Sequence, residues 1–121
     1  MRLLTCLLMG VSLFAVTLNL PVALAQDTRT AQGLLPRCMA GLKPGAQDAA
    51  GERCMGILAT LLFVSRVLPD NLKFCQPTGT TSEQMMQVID TFMTANTDAG
   101  PQDFRLIALA AMHDKWPCPP E

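Results

Sequence analysis

Four cysteines, Cys38, Cys54, Cys75 and Cys118, and the single histidine, His113, are the residues best equipped for chemistry. Sulfur and imidazole ligands of this kind make tetrahedral zinc sites. The spacing argues against zinc, because the cysteines are separated by 16, 21 and 43 positions and no C-x-x-C pair occurs. Nucleophilic catalysis needs a thiol or hydroxyl beside a base that a third group orients. His113 has Asp114 next to it, but adjacent helical positions point about 100° apart and do not face each other. His113 therefore reads as a solvated residue near a helix C-terminus, where its charge is favoured. Asp90, Asp103 and Asp114 are scattered in a way that suits solvent faces rather than a paired-carboxylate glycosidase. The chain has no tyrosine, no phosphate-binding glycine loop and no H-E-x-x-H. These residues imply a protein that is not an enzyme and takes no cofactor or metal.

The compartment settles what the cysteines do instead. The chain starts "MRLLTCLLMGVSLFAVTLNLPVALAQD", with basic Arg2, an apolar run from Leu3 to Leu18, Pro21, and Ala23-Leu24-Ala25 as an A-x-A cleavage site. Residues 1–25 read as a signal peptide, which leaves 26–121 as one exported domain in the periplasm. That domain has a side-chain charge near −2, which offers no surface to nucleic acid or, after cleavage, to a membrane. An even number of cysteines in a small exported chain is the setting for disulfides.

The elements that must position those cysteines are helical, and the fold class is all-α. "QDTRTAQGLL" is polar and expected to fray at its start, and "PRCMAGLKPGAQDAAG" has turn residues with one short helical piece around Leu34 to Leu42. "ERCMGILATLLFVSRVL" is apolar on nearly every side, the pattern of a buried central helix ended by Pro69. Its uncharged run from Cys54 to Val64 is too short to cross a bilayer. A second helix begins at a capping box, either Thr80 with Glu83 or Thr81 with Gln84. Its stripe is Met85, Val88, Ile89, Phe92 and Met93, core filling rather than a copper site. A third helix has Pro101 in its first turn and Asp103 near its positive end, with Phe104, Ile107, Ala108, Ala111 and Met112 as its stripe and Pro117 as its stop.

Three main helices with short breaks run up, down and up, because short connections favour antiparallel neighbours. This places Cys118 beside Cys75 at one pole, and Cys54 within reach of Cys38 at the other. The expected architecture is a small disulfide-bridged bundle of three main helices plus a short N-terminal helical segment.

The residues "CMG" at the first long helix, "FCQP" before the capped helix and "ALAAMHDKWPCP" at the end resemble the Rap/Tai family of type VI secretion immunity proteins. The resemblance covers about residues 54–119. Cys54, Gly56, Phe74, Cys75, Pro77, Pro117 and Cys118 match the family's stations, while Ile57 stands where a tyrosine is usual, Thr60 where a second glycine often follows, and Trp116 where phenylalanine is usual. The resemblance implies a periplasmic protein that binds and neutralises a secreted cell-wall-degrading effector, often a peptidoglycan amidase. Such a protein needs a rigid frame whose loops carry specificity. The candidate contact residues are Asp70, Asn71, Lys73 and Gln76 before the second helix, and Asp98 and Gln102 before the third. The alternatives are a small periplasmic chaperone or stress-related binding protein, and a small hydrolase. The first long helix has more apolar faces than two neighbours can cover, which points to a homodimer.

Overall fold

The computed structural model describes residues 28–46 and 49–120. The expected signal peptide, 1–25, lies outside the described residues. The chain order is α1 (Ala31–Gly41), α2 (Ala49–Val64), a 3-10 turn (Ser65–Val67), α3 (Ser82–Ala95) and α4 (Phe104–Lys115). The protein is an all-α bundle with two disulfides, Cys38–Cys54 and Cys75–Cys118.

The short N-terminal piece is a full helix and the hub of the bundle. Pro36 lies inside α1 and removes one backbone donor, so local propensity opposes this helix. Tertiary packing overrides it, because Ala31, Leu34, Leu35 and Cys38 form a buried i, i+3, i+4, i+7 stripe. Its start is also fixed by other parts of the chain, while Gln26 and Asp27, where fraying was expected, lie outside the described residues. Ala31 N–H donates to the Gln102 carbonyl at 2.8 Å, Gln32 N–H to Gly100 at 3.0 Å, and Phe104 N–H to Arg29 at 2.8 Å. The Thr30 hydroxyl accepts from Gly33 N–H and caps the helix.

α1 packs against all three other helices, whereas α2 packs chiefly on α1 and lightly on α4. The expectation of a central, all-round-buried α2 is therefore corrected. Gly51, Cys54, Leu58 and Leu61 face inward, while Met55 is 42% and Phe63 75% exposed. With α1 beside it, α2 is an outer layer and not the next neighbour in an up, down, up series. Gly51 makes the α1–α2 approach possible, since a Cβ there would stand 2.8 Å from the Gly41 carbonyl oxygen.

α3 uses the second of the two capping registers. The Thr81 hydroxyl accepts from Gln84 N–H, and the Gln84 side-chain oxygen accepts from Thr81 N–H at 2.8 Å. Thr80 is unavailable for that role because its hydroxyl donates to the Pro77 carbonyl at 2.7 Å, closing a turn in which Gly79 has a φ of 85°. Met85, Met86 and Ile89 are buried, with Val88, Phe92 and Met93 packed against them. α4 starts one position after its cap, Asp103, and buries the whole expected stripe. Pro101 falls in the preceding turn rather than in the first turn of the helix.

Candidate functional site

The end of α4 and the segment before α3 are joined by backbone, disulfide and imidazole ties. Phe74 is buried and forms an isolated antiparallel bridge with Pro117. Cys75 N–H donates to the Trp116 carbonyl at 2.8 Å, and the Cys75–Cys118 disulfide has its Cα atoms 4.9 Å apart. The His113 Nδ1 lies 2.6 Å from the Lys73 carbonyl oxygen. A carbonyl only accepts, so Nδ1 carries the hydrogen. This corrects the solvated reading of His113, which is half-buried and ties α4 to the loop. The chain's one histidine is thereby engaged in structure, and its four later cysteines are in disulfides.

Beside these ties, α3 and α4 leave an open groove of about 610 Å³. Val88, Phe92, Ala111 and Trp116 give it an apolar floor, the Pro77–Thr80 turn and Gln84 rim it at the clasped end, and it runs along α3 to Ala95 and Asn96. Of the loop residues expected from the sequence, Asp70, Asn71, Lys73 and Gln76 stand at this end of the molecule. Asp70 pairs with Lys73 at 2.9 Å while its side chain is 87% exposed, an arrangement of little net energy. Asn71 is exposed. Gln76 is half-buried, and its side-chain oxygen is enclosed without a hydrogen-bond partner among the described residues.

Asp98 and Gln102 stand at the opposite end of the α3–α4 hairpin, since α3 alone is about 21 Å long. Their loop is engaged in the fold. The Gln102 side chain donates to the Asp98 carbonyl at 3.2 Å, and Ala99 and Gly100 are buried beneath it. Asp103 follows as the α4 cap. Hydrogen bonds from the Arg105 side chain, then from its backbone N–H, hold the Asp103 carboxyl down from 3.8 to about 2, with smaller electrostatic contributions from Arg105 and Arg29. Trp116, read from the sequence only as the residue standing where the family has phenylalanine, is a groove residue that was passed over. Its aromatic side chain just ahead of the Pro-Cys station was the available signal.

A family model for the Rap1a immunity proteins matches residues 30–118. The chain belongs to this family. No curated protein and no solved structure matched it. The match runs from the Thr30 cap to Cys118 and so takes in α1, Cys38 and both bridges, a longer stretch than the three stations alone suggest. Membership in the Rap1a immunity proteins makes this an immunity protein whose partner is a secreted effector. The two bridges fit a chain exported to an oxidising compartment. Among the described residues no helix is long and apolar enough to cross a membrane.

Proposed function

We propose that the protein acts in the periplasm after removal of residues 1–25, and that it neutralises a peptidoglycan-degrading effector delivered by type VI secretion, an amidase, by binding without turnover. The family match over residues 30–118 carries this reading. The contact surface is the end bearing Asp70, Asn71, Lys73, Gln76 and the Trp116 groove, in preference to Asp98 and Gln102. Supporting this choice, the first end offers exposed turns on a clasped frame and an enclosed Gln76 oxygen lacking a donor, whereas the second is already bonded to α1. A loop on a rigid frame reaches into an enzyme's cleft.

A second copy covers the outer face of α2 in this proposal. Gly56, Ala59, Thr60 and Phe63 recur at i, i+3, i+4 and i+7, all exposed, and Val67 just beyond is 80% exposed. Nothing lies within 4 Å of where a Gly56 Cβ would be, so this glycine weakens the helix without serving the monomer.

Capture of the effector from periplasmic extract, with survival of effector-exposed cells, tests the immunity role. Double charge reversal at Asp70 and Lys73 should weaken effector binding and protection. Reversal at Asp98, with Gln102→Ala, should leave both unchanged. Full protection by both variants and by gene-deleted cells would reject the proposal. Selective holdase activity on unfolded clients would favour the chaperone alternative.

A further inference from the structure

Past Trp116 the chain has few means of holding itself in place. Pro117, Pro119 and Pro120 lack a backbone N–H, and a chain end that nothing ties down frays. The Trp116 N–H makes the last bond into α4, to the Met112 carbonyl at 2.9 Å. Beyond it the segment is held from outside, by the Cys75 N–H bond to the Trp116 carbonyl, the isolated bridge of Phe74 with Pro117, and the Cys75–Cys118 disulfide. The first two are non-covalent and lie beside an exposed Cys75, a setting in which local opening costs little. The disulfide keeps them closed.

The two bridges differ in access and in what they hold. Cys38 and Cys54 are both 0% exposed, whereas Cys75 is exposed and Cys118 half-buried. Thiol exchange requires access to a bridge sulfur, so a reductant meets the clasp before the core bridge. The clasp holds Trp116, which lines the groove with Phe92 and Ala111. Upstream of it, the His113 bond to the Lys73 carbonyl and the buried Phe74 seat α4 and the loop by ties of their own. Opening the clasp therefore acts on residues 116–120 and on the groove wall, not on the bundle.

We propose that Cys75–Cys118 is a redox-sensitive clasp on the groove: a dithiol opens it, residues 116–120 detach, and the groove loses its Trp116 wall while the bundle and Cys38–Cys54 stay intact. A thiolate of the dithiol attacks the Cys75 sulfur, the Sγ–Sγ bond breaks, and Cys118 leaves as a thiolate that takes up a proton. The second sulfur of the dithiol then attacks the mixed disulfide and releases Cys75, which is protonated in turn. Two electrons and two protons pass to the chain, and the dithiol leaves as a disulfide. The clasp stands on its own geometry; its consequence for effector binding rests on the groove end being the contact surface.

Trp116 is the chain's single tryptophan, so its fluorescence reports the groove wall directly. The purified, oxidised protein is titrated with dithiothreitol, with thiols alkylated and mapped at each step. Emission should shift to the red in step with opening of Cys75–Cys118, helical circular dichroism should persist, and reoxidation should reverse the shift. Cys75→Ser with Cys118→Ser should show the reduced emission from the start and no response to dithiothreitol. If that variant does not fold, wild type with only the clasp open supplies the same state. An open clasp with unchanged emission would overturn the proposal, since the wall would then stand without the bridge. Loss of the helical signal on opening would overturn it too, because the bridge would then hold the fold. Capture of effector should weaken by about tenfold or more when the clasp is open, as the competent state is depleted. Equal capture by open and closed forms would overturn the regulatory role, whereas failure of the oxidised form to capture effector would count against the effector reading and leave the emission test standing.

Discussion

The α3–α4 hairpin and the α1–α2 pair are each held by one disulfide, yet they are built on opposite principles. In the hairpin, local signals and packing agree: both helices have side-chain caps, and α4 buries all five residues of its stripe. Its bridge is a clasp at the surface, with Cys75 exposed. In the α1–α2 pair local signals conflict with the outcome, since α1 contains Pro36 and α2 leaves Phe63 in solvent. Its bridge lies wholly in the core, with Cys38 and Cys54 both 0% exposed. The hairpin is specified by its own sequence, whereas the pair depends on what surrounds it.

Two phenylalanines should separate the halves most strongly. Phe104→Ala empties a site that is 1% exposed and should cost about 3–5 kcal/mol. Phe63→Ala, at 75% exposure, should change monomer stability by less than about 0.5 kcal/mol while reducing the dimer fraction. Urea denaturation and light scattering read the two effects. Equal stability losses would show that α2 is buried.

The bridges give the next contrast. Removing Cys75–Cys118 as paired alanines releases a closed loop of about 44 residues and should cost about 4 kcal/mol. Removing Cys38–Cys54 releases about 17 residues, about 3 kcal/mol by the same reasoning, and leaves a buried gap besides. Because thiol exchange requires access, graded reductant with peptide mapping should open the exposed clasp first. Simultaneous opening would mean that the pair breathes as readily as the hairpin.

Glycines on α2 sharpen the comparison within one helix. Gly51→Ala places a methyl 2.8 Å from the Gly41 backbone oxygen and should destabilise by about 1–3 kcal/mol. Gly56→Ala meets nothing and should stabilise the monomer by up to about 1 kcal/mol. If Gly56 is part of the proposed dimer, the same change should lower the mass seen by light scattering.

The smallest effect is a pH dependence of the seam between the halves. The Asp103 carboxyl is held at about 2 in the folded chain, below its ordinary 3.8. Its contribution is therefore complete above about pH 4 and is lost as pH falls towards 2. Asp103→Asn retains a good cap but removes this titration, so its stability curve should be flatter in that window. An unchanged acid limb would show that Arg105 does not hold the charge.

The opposed construction of the halves also explains what was readable. The capping box of α3, in one of two registers, the Met85 to Met93 stripe and the Phe104 to Met112 stripe were visible because helical period and capping are local properties. The fully buried Met86 was missed because it lies beside the stripe. The early start of α1 was missed because Gly33 and Pro36 oppose helix locally, and the bonds that fix Arg29 to Gln32 come from residues 100–104. The polarity of the two candidate loops was plain, but nothing local shows that Gly100 and Gln102 are engaged by α1.

By itself the sequence determined the helical class, the two bridges, the apolar stripes of α3 and α4, and the family, because each rests on residue type and spacing. Only the tertiary structure decided that α1 is the hub, that α2 lies outside, that His113 bonds Lys73, and that Arg29, Arg53 and Arg105 share one pocket. Those facts join residues as many as 76 positions apart, such as Arg29 and Arg105, and a chain's local pattern contains no information on which distant partner will remove a given face from water.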